Sequence, residues 1–498
     1  MKRQLYLWHR WLGIALCIPM VLWLISGIVM LFIGYPRLLF SEQLAGLPVL
    51  DAKHCCIEPT QAMMAANPSL SPTNLRLTSI AGKPRYLLTY PGQAEIAVDA
   101  RSGAVINQAS EQQALASAST FGQGAAAEYI GLVHQDAWSM ARALDAERPF
   151  HVVYIHDDAQ RRLYLSHTNG RVLLDVTKQE RIWNWLGAWL HWFYIIRDVP
   201  WWAEIIIYLS LAGSVVAILG QVVGIMRWRF AQPYRSGSHS PYSHGFMRWH
   251  HIAGLIFGAL LIAWIFSGMM SMRPWKLTDS RSTLVQADYQ AGALFNMSSP
   301  WPMQRIVEHL LNAGLPVKEI EWHMINGQAY LTAYASTTQS LTLTMAQPGH
   351  AMQRLPTATL AQAAQAMLPD KPIHLESVKA YDFYYFERAE NSMYSNHARR
   401  LPMLRVRFDD AAHTWLHVDP YSGAIIEQLD ERRRLGRWLF NLLHSWDWIP
   451  LLERPWLREP FMIIFSLGAI VISASGIVIG WQRLRVKSSH TKRLYSKP

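Results

Sequence analysis

Cysteine is nearly absent from this 498-residue chain: three occur, with Cys17 inside an apolar run and Cys55 beside Cys56. Adjacent cysteines are poorly placed to bridge each other, and no C-x-x-C occurs, so neither a disulfide framework nor thiol chemistry is expected. Also missing are a G-x-G-x-x-G after a strand, G-x-x-x-x-G-K-[ST], H-E-x-x-H and G-x-S-x-G. Nucleotide binding, zinc peptidase and serine hydrolase chemistry therefore lose their usual signatures. Acidic residues are missing from three short segments: the amino tail with Lys2, Arg3 and Arg10, the stretch with Arg227, Arg229, Arg235 and Arg248, and the tail after residue 481.

What is present in abundance is apolar sequence. Runs at 11–34, 205–226, 252–272 and 461–481 are each long enough to cross about 30 Å of hydrocarbon at a rise of about 1.5 Å per residue. The first is too long for a signal-peptide core, contains Pro19 and lacks a small-residue cleavage site, so it reads as an uncleaved span. The acid-free basic segments flank these spans and are expected to be cytoplasmic, both termini included. The net charge of +11 is then largely membrane anchoring, and no nucleic-acid partner is expected.

The expected organisation is a tail and first span over 1–34, an extramembrane region over 35–180, an interfacial helix over 181–203, a second span over 204–227 and a cytoplasmic loop over 228–249. The third span follows over 250–272, then a second extramembrane region over 273–431, an interfacial helix over 432–459, the fourth span over 460–481 and a basic tail over 482–498. Each long region reads as two small α+β units. In the first, Pro59–Ala66 has a helical pattern and Asn74–Ile80, 84–90 and 95–99 alternate like strands. Turn signatures at Asp99 to Gly103, Asn169-Gly170 and Asp419 to Gly423 predict hairpins.

The spans repeat. Trp8-His9-Arg10 with Gly13 and Ser26-Gly27 recurs at a constant offset as Trp249-His250-His251 with Gly254 and Ser267-Gly268. Trp185-Leu186 and His191 recur as Trp438-Leu439 and His444, and Ser210, Gly220 and Gly224 recur as Ser466, Gly476 and Gly480. The fold class expected is a membrane protein of four transmembrane α-helices in two tandem, pseudo-two-fold repeats, with α+β domains inserted between spans one and two and spans three and four. The glycine pairs read as close-packing sites between helices.

A polar residue kept at one place in both copies of a membrane module suggests a cofactor. His9 and His250 belong to the cytoplasmic side and His191 and His444 to the outer side, so pairing follows depth: one b-type haem between His9 and His250, a second between His191 and His444. His251 stands beside His250 as an alternative ligand. His239 and His244 read as solvated, and His134, His151, His156, His167, His397 and His417 as surface or core residues.

These residues resemble the PepSY-associated transmembrane family, through Trp8 to Gly13, Trp183 to Gly187 with His191-Trp192, Trp249 to Gly258, Phe266-Ser267-Gly268, Leu404 to Asp410, Thr414 to Pro420 and Trp438 to Ser445. The resemblance implies a bacterial inner-membrane protein with periplasmic PepSY-like domains and two haems. It would take electrons from a quinol or a cytoplasmic reductase and reduce a ferric chelate such as a ferric siderophore. Arg405, Arg407, Tyr384 and Tyr385 are candidate contacts for an anionic chelate, or ordinary strand and turn residues. The rival expectation is a non-enzymatic, membrane-anchored PepSY protein that regulates a periplasmic peptidase or another envelope partner. A transporter fits less well, because the spans lack interior acids.

Overall fold

The computed structural model describes residues 2–392 and 398–495, so His397 and the last three residues of the basic tail lie outside the described residues. Two compact units form, one from Met1–Tyr35, Ile182–Asp279 and Arg432–Pro498, the other from Pro36–Arg181 and Ser280–Glu431.

The first unit holds four helices long and apolar enough to cross a membrane: Lys2–Met30, Trp202–Arg227, Gly245–Ser271 and Pro455–Arg485, the last continuing to Tyr495. Span one packs on two, two on three, three on four and four on one, so spans one and three face each other across the bundle. Leu16, Met20, Leu24, Val216, Leu261, Trp264, Ile265 and Ala469 fill its middle. Ile18, Ile25, Ile218, Val222, Ile256, Ile464 and Leu467 are exposed on its outside, the pattern for helices whose solvent is lipid. Pro460 lies inside the fourth helix, in its second turn. One local expectation changes: the interfacial stretches are broken into short pieces, Lys178–Trp183 and Ala188–His191 in one, Glu431–Gly436, a π-helical turn Arg437–Leu442 and Leu443–Ser445 in the other.

The second unit is built of sixteen strands among the described residues. Its first segment supplies β1 (Asn74–Ile80), β2 (Lys83–Thr89), β3 (Ile96–Asp99), β4 (Val105–Ile106), β5 (Ala127–Val133), β6 (Phe150–Ile155), β7 (Arg162–Ser166) and β8 (Val172–Val176). Its second segment supplies β9 (Glu319–Ile325), β10 (Gln328–Tyr334), β11 (Ser340–Thr344), β12 (Gln347–Met352), β13 (Ile373–Val378), β14 (Met403–Phe408), β15 (Trp415–Val418) and β16 (Ile425–Leu429). The two segments do not stay apart: β1 pairs with β9, giving one antiparallel sheet in the order β12-β11-β10-β9-β1-β2-β3-β4, beside separate sheets β5–β8 and β13–β16. One core serves both, with Leu75, Tyr86 and Leu88 of the first segment against Ile306, Val307, Ile320 and Trp322 of the second.

The three hairpins form as their turn residues require. Asp99 Oδ1 accepts from the N–H groups of Arg101 and Ser102, Asn169 Oδ1 from Arg171 and Asp419 Oδ1 from Tyr421. Gly103, Gly170 and Gly423 take the positive φ that closes each turn. Cys55 and Cys56 are joined as a vicinal disulfide, against the expectation from their adjacency, with Cys55 buried in the shared core.

Candidate functional site: two histidine pairs in the helical unit

His9 lies in the first turns of span one, and His250 lies in span three across the bundle; their ring centres are 6.1 Å apart. His191 ends the short helix Ala188–His191, and His444 sits on Leu443–Ser445; their ring centres are 5.9 Å apart. His9 and Ser26, which touches His191, are separated on one helix by seventeen positions, about 25 Å of rise, and His250 and Ser267, which touches His444, stand in the same relation. The pairs therefore occupy two levels, with the packed middle of the bundle between them.

Each ring is oriented through Nδ1. His9 Nδ1 donates to the Val216 carbonyl at 3.1 Å and His250 Nδ1 to the Ile472 carbonyl at 2.9 Å. A carbonyl only accepts, so the proton sits on Nδ1 and the Nε2 lone pair is left free. A carbonyl inside a helix is normally overhung by the residue four positions on. Here that residue is Gly220 for Val216 and Gly476 for Ile472. A Cβ on Gly220 would stand 2.6 Å from His9 Cε1, and one on Gly476 would stand 3.5 Å from His250 Cε1 and 2.7 Å from Cys17 Sγ. These glycines, expected only to bring helices together, also uncover the carbonyl that orients a histidine.

In the other pair serine takes the carbonyl's place. Ser26 Oγ lies 3.0 Å from His191 Nδ1 and donates to the Trp23 carbonyl; Ser267 Oγ lies 3.1 Å from His444 Nδ1 and donates to the Trp264 carbonyl. With its hydrogen committed, each serine accepts from Nδ1–H, so these imidazoles also keep a free Nε2 lone pair. The Trp23 indole N–H donates to the His191 carbonyl at 3.0 Å, and the Trp264 indole N–H to the His444 carbonyl at 3.1 Å. Gly27 and Gly268 leave ordinary contact room, 3.6 Å from a would-be Cβ to Cε1 of His191 and His444. Sequence reasoning missed Trp23 and Trp264, although they obey the same offset as Ser26 and Ser267.

His251 is set apart from the pairs. Its Nδ1 meets Ser240 Oγ at 2.8 Å and its Nε2 meets the Gly224 carbonyl at 2.9 Å. Both nitrogens are engaged, and the ring closes the carboxyl end of span two against Trp228 and Tyr242. Of the two neighbours, His250 is the one placed opposite His9.

The residues present fit a metal held by two imidazoles at each level. An imidazole nitrogen binds a transition metal at about 2 Å, so ring centres 6.1 Å and 5.9 Å apart would leave room for one metal between the members of each pair. An Nδ1–H held by a carbonyl or hydroxyl is the usual outer support of such a ligand. Among the described residues no group of three or more His, Cys, Asp or Glu gathers to hold a bare ion, so two imidazoles suit a metal whose other positions a macrocycle fills. One turn beyond His9 and His250, a Cβ on Gly13 would meet nothing nearer than Val216 at 4.0 Å and one on Gly254 nothing within 4 Å.

In the strand unit, the candidate chelate contacts are committed elsewhere. Arg405 is 2 % exposed, donates to His417 Nε2 at 2.9 Å and pairs with Asp382 at 2.7 Å; Arg407 pairs with Glu376. Tyr385 is fully buried and donates to the Arg400 carbonyl, and the Tyr384 ring packs on Trp415. Arg405 and Tyr385 are buried structural residues, whereas the Arg407 side chain stays 45 % exposed. Burial pushes the His417 imidazole down, and in Glu427 burial is outweighed by His417 and Arg399, which hold its carboxyl at about 2. His151 is held between the Tyr129 hydroxyl and the Ala109 carbonyl. Asp175 is different: burial, then repulsion from Glu42 and Glu180, pushes it up to about 7, with Arg161 offsetting only part. No protein-family model and no curated protein matches the chain.

Proposed function

We propose that the chain is a four-span membrane electron-transfer protein that holds two b-type haems, one between His9 and His250 and one between His191 and His444. The observation that carries this reading is the pair of facing imidazoles, 6.1 Å and 5.9 Å between ring centres, each with Nδ1–H tied back and Nε2 free. Haem held there by His9 and His250, and by His191 and His444, would supply one-electron redox chemistry suited to electron transfer. The residues contribute the rest. Val216, Ile472, Ser26 and Ser267 fix tautomer and ring angle, Gly220 and Gly476 give clearance, and the apolar middle of the bundle keeps water out.

The matched contacts support a tandem repeat around a pseudo-two-fold axis: Val216 answers to Ile472, Ser26 to Ser267 and Trp23 to Trp264 at the offsets seen in the sequence. The acid-free basic segments support cytoplasmic termini, which would put the strand unit in the periplasm of a bacterial inner membrane. With the resemblance to the PepSY-associated transmembrane family, this favours a ferric chelate as substrate and a quinol or cytoplasmic reductase as electron donor. The test is anaerobic reduction of the purified protein by a quinol analogue, followed by addition of a ferric siderophore. Reoxidation at a rate that rises with chelate concentration, and is lost in His191→Ala, supports the proposal. A folded, colourless protein contradicts it and favours a non-enzymatic binding protein.

A further inference from the structure

One hydrogen bond breaks the symmetry of the repeat at the His9/His250 level. His250 Nδ1–H faces two acceptors, the Ile472 carbonyl at 2.9 Å and Ser475 Oγ at 3.2 Å. His9 Nδ1–H has the Val216 carbonyl at 3.1 Å and no second acceptor among the described residues. The hydroxyl has no counterpart in the first copy: Ser475 stands one residue before Gly476, and the residue one before Gly220 is Leu219. At the other level the copies stay matched, with one serine to each ring, Ser26 and Ser267.

A serine inside an apolar helix ordinarily ties its hydroxyl to a carbonyl of the preceding turn. Ser475 does so, donating to the Val471 carbonyl at 2.5 Å. That bond commits its only hydrogen, so toward Nδ1–H the oxygen can only accept. Burial of a serine in this helix does not by itself lead to the ring, since Ser473 is also buried and its hydroxyl meets no partner among the described residues.

The effect on the ring has a definite sign. An acceptor at Nδ1–H raises the electron density at Nε2, the nitrogen left free to hold a metal. An electron-richer ligand favours the oxidised, more highly charged metal over the reduced one and so lowers the reduction potential. We propose that Ser475 is a positioning residue that acts through His250 to hold the His9/His250 level at a lower reduction potential than the two carbonyls alone would set. The inference rests on the reading that these rings hold haem. A lower potential here favours passage of an electron from this level toward His191 and His444, whose rings have one acceptor each.

The test is potentiometric titration of the full-length, detergent-purified protein, following haem absorbance against applied potential in the parent, Ser475→Ala, Ser475→Thr and Leu219→Ser. Ser475→Ala is expected to raise the midpoint of one of two waves, shifting the oxidised-to-reduced ratio at a fixed potential about threefold. Leu219→Ser, which offers His9 a hydroxyl at the matching place, is expected to lower the same wave, and Ser475→Thr to keep the parent value. The wave that moves is the one lost in the His9→Ala, His250→Ala double variant. Leu219→Ser also serves if Ser475→Ala fails to fold. Parental haem content with both midpoints unchanged in Ser475→Ala and Leu219→Ser, or movement of the other wave, overturns the inference and leaves the histidine pairs standing. A parent protein that binds no haem overturns that reading and the inference with it.

Discussion

The His9/His250 pair and the His191/His444 pair arrive at nearly the same spacing from different surroundings. His9 and His250 ride on long spans and are oriented by carbonyls of neighbouring spans, Val216 and Ile472, so their geometry is set by helix packing alone. His191 and His444 sit on short helical pieces outside the spans, and each is held at two points, Nδ1 by a serine and its own carbonyl by a tryptophan. An imidazole on a rigid helix needs clearance to be aimed, whereas one on a short turn needs tethers. The local backbones of the two histidines even differ, a break at Gly187 before His191 against a π-helical turn before His444, yet the tethers match. Such π turns recur at functional sites because they re-aim a side chain.

That contrast is best broken at the ligands. His9→Ala with His250→Ala is expected to remove one haem per chain and leave the other spectrally intact, whereas His9→Ala with His191→Ala damages both sites. Haem quantitation of the purified double variants checks this, and equal losses in the two doubles would dissolve the pairing. His251→Phe, by contrast, should keep the full haem content, because both its nitrogens already serve the protein.

Clearance and tethers separate the levels next. Gly220→Ala places a methyl 2.6 Å from His9 Cε1 and is expected to lower haem content at that level, while Gly27→Ala, with 3.6 Å to His191, is tolerated. Absorption spectra of the two variants side by side give the comparison. Trp23→Phe and Trp264→Phe each remove one hydrogen bond, about 1 kcal/mol, so apparent haem affinity at the His191/His444 level should fall about fivefold while the other level is unchanged. A haem-transfer assay to an excess of competing apoprotein reads that difference.

An effect on stability, not on haem content, lies in the strand unit. Asp175 has its carboxyl raised from 3.8 to about 7, so its folded form prefers the proton. Stability from this group is full below pH 3.8, declines as pH rises toward 7 and then levels off, a loss of at most about 4 kcal/mol. Glu95 acts in the opposite sense. Burial is outweighed by Arg171 and Arg76, which hold it at about 2, so its contribution is present above pH 4.5 and fades as pH falls toward 2. Asp175→Asn should raise the unfolding temperature at pH 8 and change it little at pH 4; the same shift at both values would argue against a titrating Asp175.

The spans were legible because lipid demands long apolar helices, and the hairpins because Asp99, Asn169-Gly170 and Asp419 carry their own turn chemistry. Strands such as β1 were legible from alternation. The union of β1 with β9 was not: both are bounded, alternating strands, and nothing in either names a partner more than two hundred positions away. In the site, the four histidines and Ser26-Gly27 stood out by repetition. Val216 and Ile472 act through backbone carbonyls, which leave no mark on residue type, and the disqualification of His251 rests on Ser240 and Gly224, which sequence spacing does not connect to it. Trp23 and Trp264 obey the same offset, but a tryptophan inside an apolar run does not show which distant carbonyl its indole N–H will meet.

The central claim is that the two facing histidine pairs each hold a haem. A reduced-minus-oxidised spectrum of the purified full-length protein, with haem quantitation against protein, addresses it directly. The account predicts a b-type spectrum with about two haems per chain, falling to about one in the His9→Ala, His250→Ala double variant. A folded protein with no haem, or one whose haem survives loss of all four histidines, would contradict it.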